Sequence, residues 1–310
     1  AQAWLGLGLK PAVMVGHSVG EYAAAVLAGI MSLNDAMRLI VARGRLMVQL
    51  TERGDMAALL APIAQVNALL PQVEGVAIAA CNAPNNTVVS GEKASIAALI
   101  DLATQQGIEA RALTVSHAFH SPMMQPMLDA FAEVANAIEY KPAQRDIVSS
   151  VSGRLNQGEM SSAKYWVDHV RRPVLFADAI MQALATTHID RKPDIVLEIG
   201  PGATLLGLGQ QNYSDNNLVW LNSLRARQDA CKQFCLTLGQ LYCRGVSVQW
   251  KSFDAGVARR RVAVPGYAFD RKRYWLGDAS QDRATQDRRL SNAAAAIVGV
   301  QHENLLVMVS

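Results

Sequence analysis

The pentapeptide Gly-His-Ser-Val-Gly at positions 16–20 contains the residue types that most directly suggest chemistry. It follows an apolar run at 12–15 and precedes a helix-forming stretch at 21–27, the strand–turn–helix context in which G-x-S-x-G presents a serine nucleophile. The amide of Val19 falls at the first helical turn, where unpaired N–H groups and the helix dipole stabilise a developing oxyanion. The pattern predicts Ser18 as a nucleophile and Val19 as one oxyanion donor, and it disfavours the alternative of a chance loop.

A serine hydroxyl needs a base to become a nucleophile, and histidine is the usual one. His120 stands at the end of a predicted strand, directly before a helix start at Ser121-Pro122. A helix N-terminus disfavours the imidazolium and keeps the ring able to accept a proton. We therefore predict His120 as the base, with His117 as a competitor. Three further histidines are interpreted as ordinary surface residues: His169, His188 and His302.

Arg43 is the second residue whose position suggests a function. At 100° per residue it falls on the apolar stripe of a predicted helix, whereas Arg38 and Arg45 fall on the opposite face. The residues that share its stripe are Ala36, Ile40, Met47 and Leu50. A buried guanidinium stays charged, so an inward arginine implies a carboxylate or phosphate partner. From the residues alone, a substrate and an internal Asp or Glu are equally good partners.

The composition limits the classes of function. The chain has 310 residues, of which 51% are hydrophobic and 18% charged, so it can bury a large core. Its formal net charge is +3, which gives no field that favours nucleic acid or an anionic membrane as a partner. No uninterrupted apolar run reaches about 18 residues, so we expect no membrane span.

The cysteines indicate a compartment rather than a site. They are few, show no Cys-x-x-Cys spacing and accompany no secretory signal, so the sequence predicts a reducing cytoplasm and no metal site. Cys231, Cys235 and Cys243 lie on a helical-looking segment, where we interpret them as core packing.

The elements that must position these residues follow an α/β pattern. Short elements between 54 and 115 occur in the order β-α-β-β-α-β, which is typical of a ferredoxin-like unit. We predict an α/β-hydrolase-like body made of residues 1–53 and 116–255, with residues 54–115 as an inserted ferredoxin-like subdomain. Residues 256–276 contain four aromatic rings in nine positions and are predicted to be a strap docked on a neighbouring surface. Residues 277–310 are interpreted as linker and tail.

Four sequence strings in this order carry a resemblance to a known family. They are Gly-His-Ser-Val-Gly-Glu-Tyr at 16–22, His-Ala-Phe-His-Ser at 117–121, Tyr165-Trp166 with Arg-Pro-Val at 172–174, and Glu-Ile-Gly-Pro at 198–201. Together they closely resemble the acyltransferase domain of type I polyketide synthases, a relative of the stand-alone malonyl-CoA:acyl-carrier-protein transacylases. The resemblance extends from Ala1 to about Trp275.

The resemblance implies roles for individual residues. It implies that Ser18 takes an acyl group from acyl-CoA, that His120 is the base, and that Arg43 binds the malonyl carboxylate. Phe119 then fills the space of a branched acyl methyl and favours malonyl over methylmalonyl, a selectivity worth about 1–3 kcal/mol. The other residues placed at the substrate site are His17, His117 and Asn82.

The resemblance also implies the donor, the acceptor and the partners. The donor is malonyl-CoA, and the acceptor is the phosphopantetheine thiol of an acyl carrier protein. Neither a permanently bound cofactor nor a metal is implied. The expected partners are the carrier protein and the adjacent ketosynthase and linker domains of a multidomain synthase, with neither nucleic acid nor membrane among them.

Two departures from the family pattern are visible. The family's Gly-Gln-Gly-rich strand, whose glutamine amide is the other oxyanion donor, does not precede Ala1. We therefore expect this chain to lack a central strand and one donor, a loss worth about 100- to 1000-fold in rate. The sequence shows no acidic partner for the base, and Asn82 and the loop around Gly200 are the candidates for orienting it.

Two other functions fit parts of the same sequence. A serine thioesterase or esterase would use G-x-S-x-G equally well, although such enzymes usually place an acid between the serine and the histidine along the chain. A catalytically impaired docking fragment of a megasynthase would account for the missing Gly-Gln-Gly-rich strand and for the aromatic strap.

Overall fold

A computed structural model describes residues 1–50, 53–185, 194–214, 217–258, 260, 262–270 and 305–310. These residues form a five-stranded parallel sheet and a separate four-stranded antiparallel sheet, both covered by helices. The predicted α/β class with a ferredoxin-like subdomain is confirmed.

The strands, in chain order, are β1 (Pro11–Gly16), β2 (Gly54–Leu59), β3 (Val76–Ala83), β4 (Asn86–Glu92), β5 (Ala110–Leu113), β6 (Asp146–Val148), β7 (Ile195–Ile199), β8 (Val219–Asn222) and β9 (Leu305–Val309). The α-helices are α1 (Gln2–Gly6), α2 (Gly20–Ala28), α3 (Leu33–Val48), α4 (Ile63–Leu69), α5 (Lys93–Gln105), α6 (Leu128–Asn136), α7 (Ala163–Arg171), α8 (Phe176–Ala185), α9 (Thr204–Asn212), α10 (Ala230–Cys243) and α11 (Trp250–Phe253). Short 3₁₀ helices occupy Leu70–Gln72, Pro122–Met127 and Glu159–Ser161.

The parallel sheet has the order β6-β1-β9-β7-β8, so the strand latest in the chain occupies its centre. Strand β9 pairs with β1 on one side and with β7 on the other. Leu305, Val307 and Val309 face one hydrophobic core, whereas Leu306 and Met308 face the other. A continuous apolar strand buried on both faces is what a parallel sheet requires at its centre.

This placement corrects two expectations from the sequence. Residues 305–310 are not part of a tail, and the sheet does not lack a central strand. A five-residue apolar run does not show from sequence alone whether it forms a strand or a helix, or which sheet it joins. The remainder of the predicted linker, residues 277–304, lies outside the described residues.

The antiparallel sheet forms the small subdomain, with the order β3-β4-β2-β5 and helices α4 and α5 on one face. Its strand β3 reaches the body through backbone hydrogen bonds with Val174. The Cys81 amide donates to the Val174 carbonyl at 2.8 Å, and the Val174 amide donates to the Ala79 carbonyl at 2.9 Å. The contact between Asn82 of β3 and His17, the residue after β1, places the subdomain beside the carboxyl end of β1.

The aromatic segment does not dock where the structure describes it. Tyr267 and Phe269 are 79% and 72% exposed, and their rings contact each other rather than the body. Tyr274 and Trp275 lie outside the described residues. Residues 262–270 therefore do not dock on the described part of this chain, and docking of the strap on a neighbouring surface stays a prediction.

The cysteines of α10 are also placed differently from the prediction. Cys231, Cys235 and Cys243 are exposed, while α10 buries Thr237, Leu238 and Leu241. The helical assignment is confirmed, but the cysteines occupy its solvent face because the leucine stripe takes the core. None of the helices formed by the described residues is long and apolar enough to cross a bilayer.

Candidate active site

Ser18 lies in the tight turn between β1 and α2. Its φ is +49°, a left-handed conformation that costs a residue with a side chain about 1–2 kcal/mol. The flanking glycines leave room for this turn. A Cβ on Gly16 would overlap the backbone of Glu21, and a Cβ on Gly20 would overlap the carbonyl of Val309. The turn therefore requires glycine on both sides of the serine.

His120 also adopts a left-handed conformation, with φ of +55°, just before the 3₁₀ helix that begins at Pro122. Its Nε2 lies 2.7 Å from Ser18 Oγ, and its Nδ1 lies 2.9 Å from the Arg172 carbonyl oxygen. Because a carbonyl only accepts, Nδ1 carries the proton and donates to it. Nε2 is then free to accept the Ser18 proton.

The environment of His120 keeps its ring neutral. Burial, followed by the positive charge of Arg43 and by His169, holds the pKa of His120 well below its ordinary value of about 6.5. The hydrogen bond to Arg172 opposes this shift without reversing it. The ring is therefore unprotonated at neutral pH, which is the state in which it can take a proton.

The group that orients His120 is the Arg172 carbonyl, not either candidate from the sequence. Asn82 Oδ1 lies 2.9 Å from Nε2 of His17, and the Gly200 amide donates to Ser223 Oγ at 3.3 Å. A backbone carbonyl leaves no residue-type signal, so sequence analysis could not single out Arg172 for this role.

The two remaining histidines of the predicted site have other neighbours. His117 is buried, and its Nδ1 lies 2.9 Å from Ser116 Oγ. His17 is held by Asn82, and burial lowers the pKa of His17. Only His120, among the histidines that the structure describes, has a ring nitrogen within hydrogen-bond distance of Ser18. His188 and His302 lie outside the described residues.

Arg43 projects from α3 toward Ser18. The helix is fixed by its N-cap, where Ser32 Oγ accepts from the Asp35 amide at 3.1 Å. Arg43 is 6% exposed, its Nη2 lies 3.5 Å from Ser18 Oγ, and its guanidinium lies 5.9 Å from the centre of the Tyr22 ring. No Asp or Glu in the described ranges forms an ion pair with it, and Nη1 is buried without a hydrogen-bond partner there.

A cavity of about 280 Å³ opens between Ser18 and Arg43. Its lining is mostly apolar and consists of Ser18, Val19, Ile40, Arg43, Gly44, Met47 and Phe119. Within the described part of the chain, no backbone acceptor takes the Val19 N–H. The cavity therefore combines the Ser18 hydroxyl, the Val19 amide, the Arg43 cation and apolar walls, an arrangement that suits a small acyl group carrying a carboxylate.

A buried polar network beside this site was missed from the sequence. Glu21 accepts from the Ser150 amide at 2.8 Å, from the Ser150 hydroxyl, and from the Tyr165 hydroxyl at 2.8 Å, and its Oε2 lies 2.9 Å from His169 Nε2. Interpreting His169 as a surface residue is wrong, since it is 1% exposed. The sequence does contain a pattern that predicts burial of His169, because the spacing of Tyr165, Trp166, His169 and Val170 places them on one helical face.

The family profile described as acyl transferase domain matches residues 1–247. The chain belongs to the acyl transferase domain family. It is 42% identical over 278 residues to the phenolphthiocerol synthesis polyketide synthase type I Pks15/1 of Mycobacterium marinum, a match that covers 88% of this chain and 13% of that protein. It is 40% identical over 292 residues to a PKS-NRPS hybrid synthetase of Aspergillus niger, covering 88% of this chain and 16% of that protein.

Solved acyl transferase domains share the fold. The domain from the second module of the salinomycin polyketide synthase superposes with a TM-score of 0.75 at 38% identity, covering 83% of this chain and 61% of that one. A malonyl CoA-acyl carrier protein transacylase from Clostridium perfringens gives 0.70 at 27% identity, covering 78% and 75%. The resemblance found in the sequence is confirmed: this acyl transferase domain is homologous to those of type I polyketide synthases.

Proposed function

We propose that this acyl transferase domain moves a malonyl group from malonyl-CoA, through an ester on Ser18, to the phosphopantetheine thiol of an acyl carrier protein. The observation that carries the proposal is the cavity lined by Ser18 and the Arg43 cation, together with the hydrogen bond between Ser18 and its base His120. The relatives support the donor and acceptor classes, because one of them is a malonyl CoA-acyl carrier protein transacylase and others are polyketide synthases.

In the first half-reaction, Ser18 Oγ attacks the thioester carbonyl while His120 Nε2 takes its proton. The Arg172 carbonyl stabilises the imidazolium that forms, because it already accepts the Nδ1 proton. The Val19 N–H donates to the oxyanion of the tetrahedral intermediate. The carbon–sulfur bond then breaks, and His120 returns the proton to the departing coenzyme A thiolate.

In the second half-reaction, the carrier thiol takes the place of coenzyme A. Its proton passes to His120, its sulfur attacks the malonyl ester, and Ser18 leaves with the proton from the imidazolium. Throughout, Arg43 holds the malonyl carboxylate, which is the anion that a buried unpaired guanidinium requires. Phe119 forms one wall of the same cavity and limits the width of the acyl chain.

Mass spectrometry of the domain after mixing with malonyl-CoA tests this proposal. We expect a malonyl adduct on Ser18, which disappears on addition of a phosphopantetheinylated carrier protein as malonyl-carrier accumulates. Ser18→Ala and His120→Ala abolish the adduct, while Ser116→Ala is a matched control that keeps it.

Two outcomes would contradict the proposal. Free malonate as the main product, with or without carrier, would indicate a thioesterase or esterase. The absence of any adduct on Ser18 in demonstrably folded protein would favour a docking fragment of a larger synthase.

A further inference from the structure

The carboxyl end of β9 lies against the turn that carries Ser18. The amide of His17, the residue before the nucleophile, donates to the Val309 carbonyl at 3.1 Å. Gly20, two residues after the nucleophile, packs so closely on the same carbonyl that a Cβ would overlap it. Both sides of the nucleophile turn therefore rest on one peptide group of β9.

The other neighbour of β9 is tied to the same strand end. The Ser310 amide donates to the Ile199 carbonyl at 3.3 Å, and the Ser310 side chain occupies the space above Gly200. β1, which leads into the nucleophile turn, and β7, which leads into the Gly200 loop, are neighbours of β9 rather than of each other. Strand β9 thus joins β1 and β7 into one sheet, since these two strands do not pair with each other.

The strained conformation of Ser18 needs such support. A left-handed non-glycine residue persists only where the surrounding structure holds it, and here β9 supplies the acceptor and the packing surface. We propose that the backbone groups of Val309 and Ser310, rather than their side chains, position Ser18, so that the reactivity of the nucleophile depends on the strand at residues 305–310. The inference rests on Ser18 being the nucleophile of the proposed function, but not on the identity of the acyl donor.

The contact between Gly200 and Ser310, which are 110 positions apart in the sequence, provides a test of this role for β9. Gly200 has no left-handed φ, so Gly200→Ala introduces no backbone strain and acts through its overlap with the Ser310 side chain. The Ser310 hydroxyl can rotate away from the added Cβ, but Ser310 Cβ remains 3.1 Å from it, so the strand end must shift slightly. We expect this variant to label with a fluorophosphonate at Ser18 about 5-fold more slowly. Ser310→Gly in the same chain removes the overlap and restores the rate.

The matched control is Gly202→Ala in the same loop. The nearest atom to its added Cβ is Thr204 Oγ1 at 3.9 Å, an ordinary contact that involves no residue of β9. We expect Gly202→Ala and Ser310→Gly alone to label at close to the wild-type rate. A wild-type labelling rate for Gly200→Ala would overturn the inference. A double variant that labels no faster than Gly200→Ala would also overturn it, whether or not the double variant is folded.

Hydrogen exchange on the unmodified chain gives a second, independent measurement. We expect the amides of residues 306–309 and of His17 to exchange slowly, and Gly200→Ala to accelerate the His17 amide selectively. Exchange of residues 306–309 as fast as that of an unstructured peptide would also overturn the inference. If wild-type protein labels rapidly with the fluorophosphonate yet forms no malonyl adduct, the proposed function fails while the positioning role stands.

Discussion

Two regions next to the nucleophile turn each bury a charged side chain, and they treat it in opposite ways. Around Glu21, the carboxylate has hydrogen-bond donors from Ser150 and Tyr165 and a close contact with His169. Around Arg43, the guanidinium has one long hydrogen bond to Ser18 and the face of Tyr22. Protein groups satisfy the Glu21 carboxylate, whereas no acidic side chain among the described residues pairs with the Arg43 guanidinium.

This difference separates a structural charge from a functional one. A buried charge with a complete set of partners holds the elements that carry those partners, and removing it exposes all of them to an apolar surrounding. A buried charge without a partner costs several kcal/mol and is retained where an incoming group supplies the counter-charge. Glu21 therefore belongs to the fold, and we propose that Arg43 belongs to the substrate site.

The largest effect is expected at Glu21. Glu21→Ala leaves the buried polar groups of Ser150, Tyr165 and His169 without their partner. We expect it to lower the free energy of unfolding by about 3–5 kcal/mol. Urea denaturation followed by circular dichroism measures this. Glu139→Ala, at a carboxylate that is 77% exposed in its ion pair with Lys141, should change stability by no more than about 0.5 kcal/mol. Equal effects at the two positions would remove the distinction.

Arg43→Ala should reduce activity without reducing stability, the opposite of what is expected for Glu21→Ala. We expect malonyl loading on Ser18 to fall by at least about 30-fold, as for a lost partner in a buried charge pair worth 2 kcal/mol or more. Loading from acetyl-CoA should stay equal or rise, and thermal stability should not fall. Arg45→Ala, on the exposed face of the same helix, is the control. Equal losses with both donors would refute the carboxylate role.

Short sequence patterns predicted those parts of the site whose geometry depends on neighbouring residues in the chain. The turn at Ser18, the position of His120 and the inward face that carries Arg43 follow from glycine spacing, a helix start and a helical stripe. The Arg172 carbonyl and strand β9 could not be predicted in the same way. Their roles depend on which segments become neighbours in the folded chain, and neither a backbone carbonyl nor a short apolar run specifies its neighbour.

The apolar wall of the Arg43 cavity should set acyl width. Phe119→Ala enlarges the cavity beside the carboxylate site, and we expect the ratio of methylmalonyl to malonyl loading to rise by about 10-fold, within the 1–3 kcal/mol that one methyl is worth. Competition between the two CoA donors, read by mass spectrometry, measures this ratio. Phe234→Ala, which removes a ring packed on Trp4, should leave it unchanged. If Phe234→Ala raised the ratio of methylmalonyl to malonyl loading as much as Phe119→Ala, the proposal that Phe119 limits acyl width would be contradicted.

The smallest effect concerns pH. Burial first, then Arg43 and His169, depresses the pKa of His120. The ring therefore stays neutral as pH falls through about 6.5, and acetyl loading should persist below that pH. The unfolded chain binds the proton first, so this histidine makes stability fall as pH drops below about 6.5. Arg43→Ala should move the acid limb of acetyl loading upward, and an unmoved limb would show that the two groups do not interact.

The most direct test of the central claim is a crystal structure of the domain trapped as the malonyl ester of Ser18. If Arg43 is the free cation of the site, both oxygens of the malonyl carboxylate will lie within hydrogen-bond distance of its guanidinium, and His120 Nε2 will remain beside the ester oxygen. A malonyl carboxylate directed to solvent, with the Arg43 guanidinium paired to an Asp or Glu of the chain, would contradict the account.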